Sequence, residues 1–173
     1  MVKNVKNNNL TFENKELDIL RKAVDKAESK LGKNIKQSNN IEVIIKILED
    51  FLKRKKVVCY GGTAINNILP TSEQFYDRDI EVPDYDFYSS NAMSHATELA
   101  DIYYSKGYSD VEVRSGMHLG TYKVFVNFIP IADVTQMEPK IFKVLLKKSV
   151  RKEGVSYAPP DFLRLHMYNE LSR

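Results

Sequence analysis

Val57-Val58-Cys59-Tyr60-Gly61-Gly62-Thr63-Ala64-Ile65-Asn66-Asn67-Ile68-Leu69 is the stretch whose reading decides the fold. A short apolar run bounded by turn residues is a buried strand. The glycine pair marks a tight turn, and Pro70 stops the helical turns that follow. Strand, glycine turn and helix are thus predicted in immediate succession. Glycines at such a junction let backbone N–H groups approach an anion at the positive end of a helix. Thr63 either caps that helix or meets a phosphate through its hydroxyl. Outward from here, Asp84-Tyr85-Asp86-Phe87 places two acids at period two. In a strand they share one face, and Tyr85 and Phe87 anchor the other face in the core. A third acid, Asp133, lies in the apolar run from Ile129 to Val134, where an unpaired charge is expensive. If that run is a neighbouring strand, Asp133 joins the pair.

Carboxylates side by side repel one another unless a cation sits between them. Mg²⁺ takes oxygen ligands and keeps several waters, so a few aspartates suffice. Two such ions, shared by carboxylates, activate a hydroxyl and stabilise in-line displacement at phosphorus. Asp84, Asp86 and Asp133 are therefore the candidate catalytic and metal-binding residues, and Gly61, Gly62 and Thr63 the candidate nucleotide-binding ones. The residues read as a nucleotidyltransferase catalytic domain.

The rest of the chain supports an α+β layout, with helices packed mainly on one face of a mixed sheet. Leu17, Leu20, Val24, Ala27 and Leu31 recur at helical spacing before Gly32, inside an N-terminal helical extension assigned to residues 1–39. A catalytic domain is assigned to 40–173. Its first helix starts near Asn40, with Ile41, Ile44, Ile45, Leu48, Phe51 and Leu52 on one face. The basic run Lys53-Arg54-Lys55-Lys56 that ends it suits a helix C-terminus and is read as solvated. Residues 71–83 read as a surface loop and Asp84 to Tyr88 as a strand. Ser89 or Ser90 can cap a helix carrying Ala92, Ala96, Leu99, Ala100 and Tyr103, closed near Gly107. Strands follow over Val111–Arg114 and Tyr122–Phe128, with a turn at Ser115–His118, and Pro130 separates the second from Ile131–Val134. Two amphipathic segments run from Pro139 to about Val150 and from Pro159 to Ser172. Phe162, Leu163, Met167 and Leu171 in the last either cap this core or pack on a following part of a longer protein.

Composition narrows the alternatives. The chain has 173 residues, 43% hydrophobic and 28% charged, which is ordinary for a globular domain. A net charge of +3 permits a nucleic-acid partner without arguing for one. One cysteine, Cys59, excludes an internal disulfide and is read as a small buried hydrophobe in a reducing compartment. No apolar run approaches the roughly 20 residues that span a bilayer, so an intracellular location is expected. His95, His118 and His166 have no zinc-site spacing, although His118 falls in a turn near the acids. No P-loop or dinucleotide fingerprint is present.

At these residues the sequence resembles the polymerase-beta nucleotidyltransferase superfamily. Gly61, Gly62, Asp84, Asp86 and Asp133 match its pattern in order. Within that superfamily, Tyr60–Asn66, Pro83–Ser89 and Tyr157–Arg164 resemble the poly(A) polymerase catalytic subunits of large cytoplasmic DNA viruses. The resemblance implies that Asp84 and Asp86 coordinate two Mg²⁺ or Mn²⁺ ions. Asp133 would hold the catalytic metal and help deprotonate a primer 3′-hydroxyl, while Gly61, Gly62 and Thr63 cradle the triphosphate. It further implies AMP transfer from ATP to an RNA 3′ end, a processivity subunit or self-association, no membrane partner, and a cytoplasmic site, in a viral factory or virion. Two alternatives stay open: a small nucleotidyltransferase modifying tRNA or protein, and a non-catalytic module of the same fold.

Overall fold

The computed structural model describes residues 41–76 and 82–172, together with Ile19 and Lys22. The helix expected over Leu17–Leu31 and the boundary at residue 39 lie outside those residues. Five helices and seven strands are described, and the strands form one mixed sheet.

The first helix, α1 (Ile41–Arg54), buries Ile41, Ile44, Ile47, Leu48, Phe51 and Leu52, the three-and-four spacing that makes one apolar stripe. Its basic end is partly paired: Lys53 lies 3.9 Å from Asp50, and Lys55 forms an ion pair with Glu98 at 2.5 Å. Strand β1 (Val58–Tyr60) is only three residues long but central. It runs into helix α2 (Gly61–Ile68), and the glycines are the first two residues of that helix rather than a separate turn. Pro70 follows, then a single 3₁₀ turn over Thr71–Glu73.

Strand β2 (Tyr85–Ser89) buries Tyr85, Phe87 and Ser89 on alternate positions. Helix α3 (Ala92–Ser105) opens at Asn91, with no side-chain cap from that residue. Ser89 serves the junction differently from the expected cap: its hydroxyl accepts from the Asn91 N–H, while Gln136 accepts from the Ala92 N–H. Gly107, at φ +93°, closes α3 as predicted.

Strands β3 (Val111–Ser115), β4 (Thr121–Val126) and β5 (Ile129–Gln136) form an antiparallel meander. Pro130 does not divide two strands here. It lies inside β5, opposite Phe125, where the register shifts after Val124. A residue without an N–H is tolerated at such an irregularity. The chain instead reverses at Asn127 and Phe128, both at positive φ. Helix α4 (Pro139–Lys148) begins under a true cap, since the Glu138 carboxylate accepts the N–H groups of Lys140 and Ile141. A hairpin that the sequence patterns do not predict follows: β6 (Val150–Lys152) and β7 (Val155–Tyr157), turning at Glu153-Gly154. Helix α5 (Pro160–Leu171) is the last described element.

The sheet order is β3-β4-β5-β2-β1-β7-β6. β2 runs parallel to β5 and β1 runs parallel to β7, while the other pairs are antiparallel. Helices α1 and α3 cover one face, where Phe51 meets Phe87 at 6.2 Å between ring centroids. The Tyr103 hydroxyl donates to the Ile44 carbonyl at 2.7 Å and ties those helices together. Cys59 lies in this core, almost wholly buried, as expected. On the opposite face, Phe162 of α5 stands edge-on to Tyr88. Among the described residues no helix is long and apolar enough to cross a membrane.

Candidate active site

Strand alternation sorts the two faces. With Tyr85 and Phe87 turned into the core, Asp86 faces the other way, toward α5. Register then aligns one residue from each of four adjacent strands. Tyr60 pairs with Asp86, Asp86 with Asp133, and Asp133 with Lys123. Directly paired residues share a face, so two acids and an amine form a row across the middle of the sheet. Asp84 sits just before β2, one alternation from Asp86 and the most exposed of the three acids.

Asp133 is less buried than its apolar neighbours suggest. Ile131, Ala132 and Val134 are fully buried, while Phe128 is 76% exposed and contributes nothing to its surroundings. Its charge is also answered. The Lys123 ammonium donates to both carboxylate oxygens, at 2.8 Å and 2.7 Å. No sequence pattern singles out Lys123. In an alternating strand its position reads equally well as a solvent-facing lysine, and only the β4–β5 register places it against Asp133.

The electrostatics match this crowding. Burial, then Asp84 and Asp133, push the Asp86 carboxyl up to about 7, against the lowering effect of Lys123. Burial and Asp133 likewise raise the Asp84 carboxyl. Lys123 is held above the usual amine value: burial opposes its charge, but its bond to Asp133 and the fields of all three acids prevail.

The glycine bend touches the acids directly. Gly61 stands at φ +76°, and a Cβ there would come within 2.4 Å of an Asp86 oxygen. A Cβ on Gly62 would lie 2.3 Å from the Tyr76 hydroxyl. The buried Asn66 side chain accepts from the Phe75 and Tyr76 N–H groups at 2.8 Å and 2.9 Å, which holds this strap across the start of α2. Thr63 does not cap α2. It is 5% exposed, and its hydroxyl donates to the Asp84 carbonyl, so it fixes the approach to β2.

A cleft of about 540 Å³ opens over the row. Its floor includes Tyr60, Gly61, Gly62, Asp86 and Asp133, and α5 supplies Leu163, His166 and Met167 opposite. His118, from the β3–β4 turn, reaches its rim. Tyr60 links the floor to the roof. It stacks on Tyr88 at 3.9 Å, meets His166 edge-on, and shares a hydrogen bond of 3.0 Å with Thr135.

Oxygen-only donors gathered beside the N-terminus of α2 fit a hard divalent cation and a polyphosphate. Among the described residues, however, no three His, Cys, Asp or Glu side chains are already closed around a metal position. Asp133 instead faces Lys123. The donor set fits the ions, and using all of it requires the Lys123–Asp133 contact to open.

A strand, a glycine bend and a helix set against an acidic parallel strand pair define a nucleotidyltransferase-type α+β domain. A family model described as poly(A) polymerase catalytic subunit matches residues 46–173. Over 128 residues the chain is 31% identical to a protein of African swine fever virus (strain Badajoz 1971 Vero-adapted) provisionally named poly(A) polymerase catalytic subunit, covering 74% of this chain and 26% of that one. A protein of Acanthamoeba polyphaga mimivirus with the same provisional name is 31% identical over 149 residues, covering 84% and 24%. The crystal structure of the Megavirus polyadenylate synthase aligns with a TM-score of 0.75 and 25% identity, covering 98% of this chain and 33% of that chain. The chain belongs to the poly(A) polymerase catalytic subunit family. It spans about a quarter of the length of those relatives and a third of the solved chain.

Proposed function

We propose that this domain catalyses transfer of AMP from ATP to the 3′ end of RNA, releasing pyrophosphate. The observation that carries the proposal is the direct pairing of Asp86 with Asp133 on parallel strands beside the Gly61-Gly62 bend. Asp84 and Asp86 would hold two Mg²⁺ or Mn²⁺ ions, with Asp133 sharing one of them; the ions would supply the charge that stabilises displacement at phosphorus.

The remaining steps belong to the chain itself. The N–H groups at the start of α2 receive the triphosphate, and the absence of side chains at Gly61 and Gly62 gives it backbone contact. Asp133 orients the 3′-hydroxyl and accepts its proton as that oxygen bonds to the α-phosphorus. The bond from the α-phosphorus to the bridging oxygen breaks, and pyrophosphate departs. Leu163, His166 and Met167 wall the cleft opposite the acids. The designation of the relatives as catalytic subunits supports a companion subunit in the reaction.

Incorporation of labelled ATP into an RNA primer, with Mg²⁺ or Mn²⁺, tests this. Asp84→Ala combined with Asp86→Ala should abolish it, and incorporation surviving the double change would refute the mechanism. A tRNA and a protein acceptor in parallel reactions would reveal a different acceptor class.

A further inference from the structure

We propose that Lys123 is a built-in counter-ion for the acid row, occupying Asp133 until a divalent cation displaces it. The inference rests on the nucleotidyltransferase reading of the acids and adds a residue that reading does not require. Lys123 comes from a different strand than any of the three acids, yet register sets it directly opposite Asp133. Its ammonium bonds both oxygens of that carboxylate, and the Asp133 side chain is only 17% exposed. The pair is therefore drawn partly out of water, where it interacts more strongly than on an open surface.

Charge explains why such a residue is useful. Asp84, Asp86 and Asp133 together carry three negative charges when ionised, and one ammonium leaves the row at −2. Without that ammonium the central strands would be held together against a larger repulsion whenever metal is absent. A lysine suits an exchangeable role. It is a single charge on a flexible four-carbon stem, without the planar fork that would lock onto a carboxylate as arginine does. A divalent ion at the same oxygens carries twice the charge and no tether, so it can take Asp133 while the amine swings into the open cleft. An ordinary structural salt bridge between β4 and β5 makes a different forecast. Its loss would weaken the fold, and no metal would restore it.

The 173-residue chain is compared with Lys123→Met and Lys123→Arg, using Mn²⁺ as the probe. Free Mn²⁺ is followed by electron paramagnetic resonance, and melting is followed in EDTA and in Mn²⁺. Lys123→Met should bind Mn²⁺ at least about tenfold more tightly than wild type. It should melt lower in EDTA and regain the difference in Mn²⁺. Lys123→Arg should fold with the pair retained and bind Mn²⁺ no more tightly than wild type. Equal or weaker Mn²⁺ affinity in Lys123→Met, or tighter affinity in Lys123→Arg, overturns the proposal while leaving the metal site intact. If Lys123→Met does not fold even with Mn²⁺ present, the residue is a structural brace and the proposal fails. Absence of Mn²⁺ binding from every form, at levels matching the Asp84→Ala/Asp86→Ala variant, would instead remove the nucleotidyltransferase reading and this inference with it.

Discussion

Gly61→Ala is the substitution that most directly tests how the bend and the acids are joined, because two separate costs meet there. The first is backbone strain. Gly61 sits at φ +76°, and an L-residue in the left-handed region costs about 1–2 kcal/mol. The second is collision, since the new Cβ would stand 2.4 Å from an Asp86 oxygen, well inside contact distance. Gly107 isolates the first cost. It sits at φ +93°, far from the acids at the end of α3, and an added methyl there would have nothing within 4 Å. Gly107→Ala should therefore lose about 1–2 kcal/mol in urea titration, or about 2–8 °C in melting, with unchanged nucleotide incorporation. Gly61→Ala should lose a similar or somewhat larger stability, but its Asp86 must rotate away from the cleft. A displacement near 1 Å at a reacting centre costs about 100-fold in rate. Incorporation should fall by about that factor or more, and Mn²⁺ binding should weaken with it. Wild-type incorporation in Gly61→Ala would show that Asp86 does not work from its position against the bend. Equal inactivation of Gly107→Ala would show that activity merely follows stability.

Three further outcomes follow from the same geometry. Asp86 is raised to about 7, so the metal-free folded chain holds a proton that the unfolded chain has released between roughly pH 4 and 7. Stability in EDTA should fall as pH climbs through that window, and Asp84, also raised, adds in the same direction. The urea midpoint of wild type minus that of Asp86→Asn should therefore decline from about pH 5 to 7, and a flat difference would contradict the shift. Gly62→Ala places a methyl 2.3 Å from the Tyr76 hydroxyl, at the tip of a side chain that can move. It should cost under about 1 kcal/mol, weaken ATP binding measured by calorimetry, and be relieved by Tyr76→Phe; no relief would mean that Gly62 is small for the ligand's sake alone. Asn66→Ala leaves the Phe75 and Tyr76 N–H groups without their acceptor, at a cost of about 1–3 kcal/mol. Proteolysis within residues 70–76 should accelerate in that variant, and an unchanged cleavage rate would show that Asn66 does not hold the strap.

How far the sequence discloses this site depends on what each signal encodes. The apolar run before Gly61-Gly62 and the period-two acids are local patterns, and β1, α2 and β2 follow from them with boundaries shifted by a residue or two. Asp133 is conspicuous because a charge stands in an apolar run, yet that signal is only half of its situation. Ala132 and Val134, on either side of it, are buried on the other face, and its own charge is compensated. What the sequence hides is nonlocal. Lys123 gains its meaning from register across β4 and β5, and Thr63 from a carbonyl twenty-one residues away. The β6–β7 hairpin escapes notice because three-residue strands give too little alternation to stand out between two helices, although Glu153-Gly154 is a turn signal. Pro130 reads as a strand breaker, and only the register shift beside Phe125 shows how a strand admits it.

The parallel pairing of β2 with β5 is the seam on which the domain closes, and its facing acids push that seam apart. Between residues 85–89 and 132–136 the chain builds α3, β3 and β4, so the pairing of Asp86 with Asp133 joins segments distant in sequence. A cation held there, as proposed, would bridge β2 and β5 at the rung where two acids face each other. Saturating metal should thus slow the opening of the whole domain, and amide exchange along β2 and β5 should record it first.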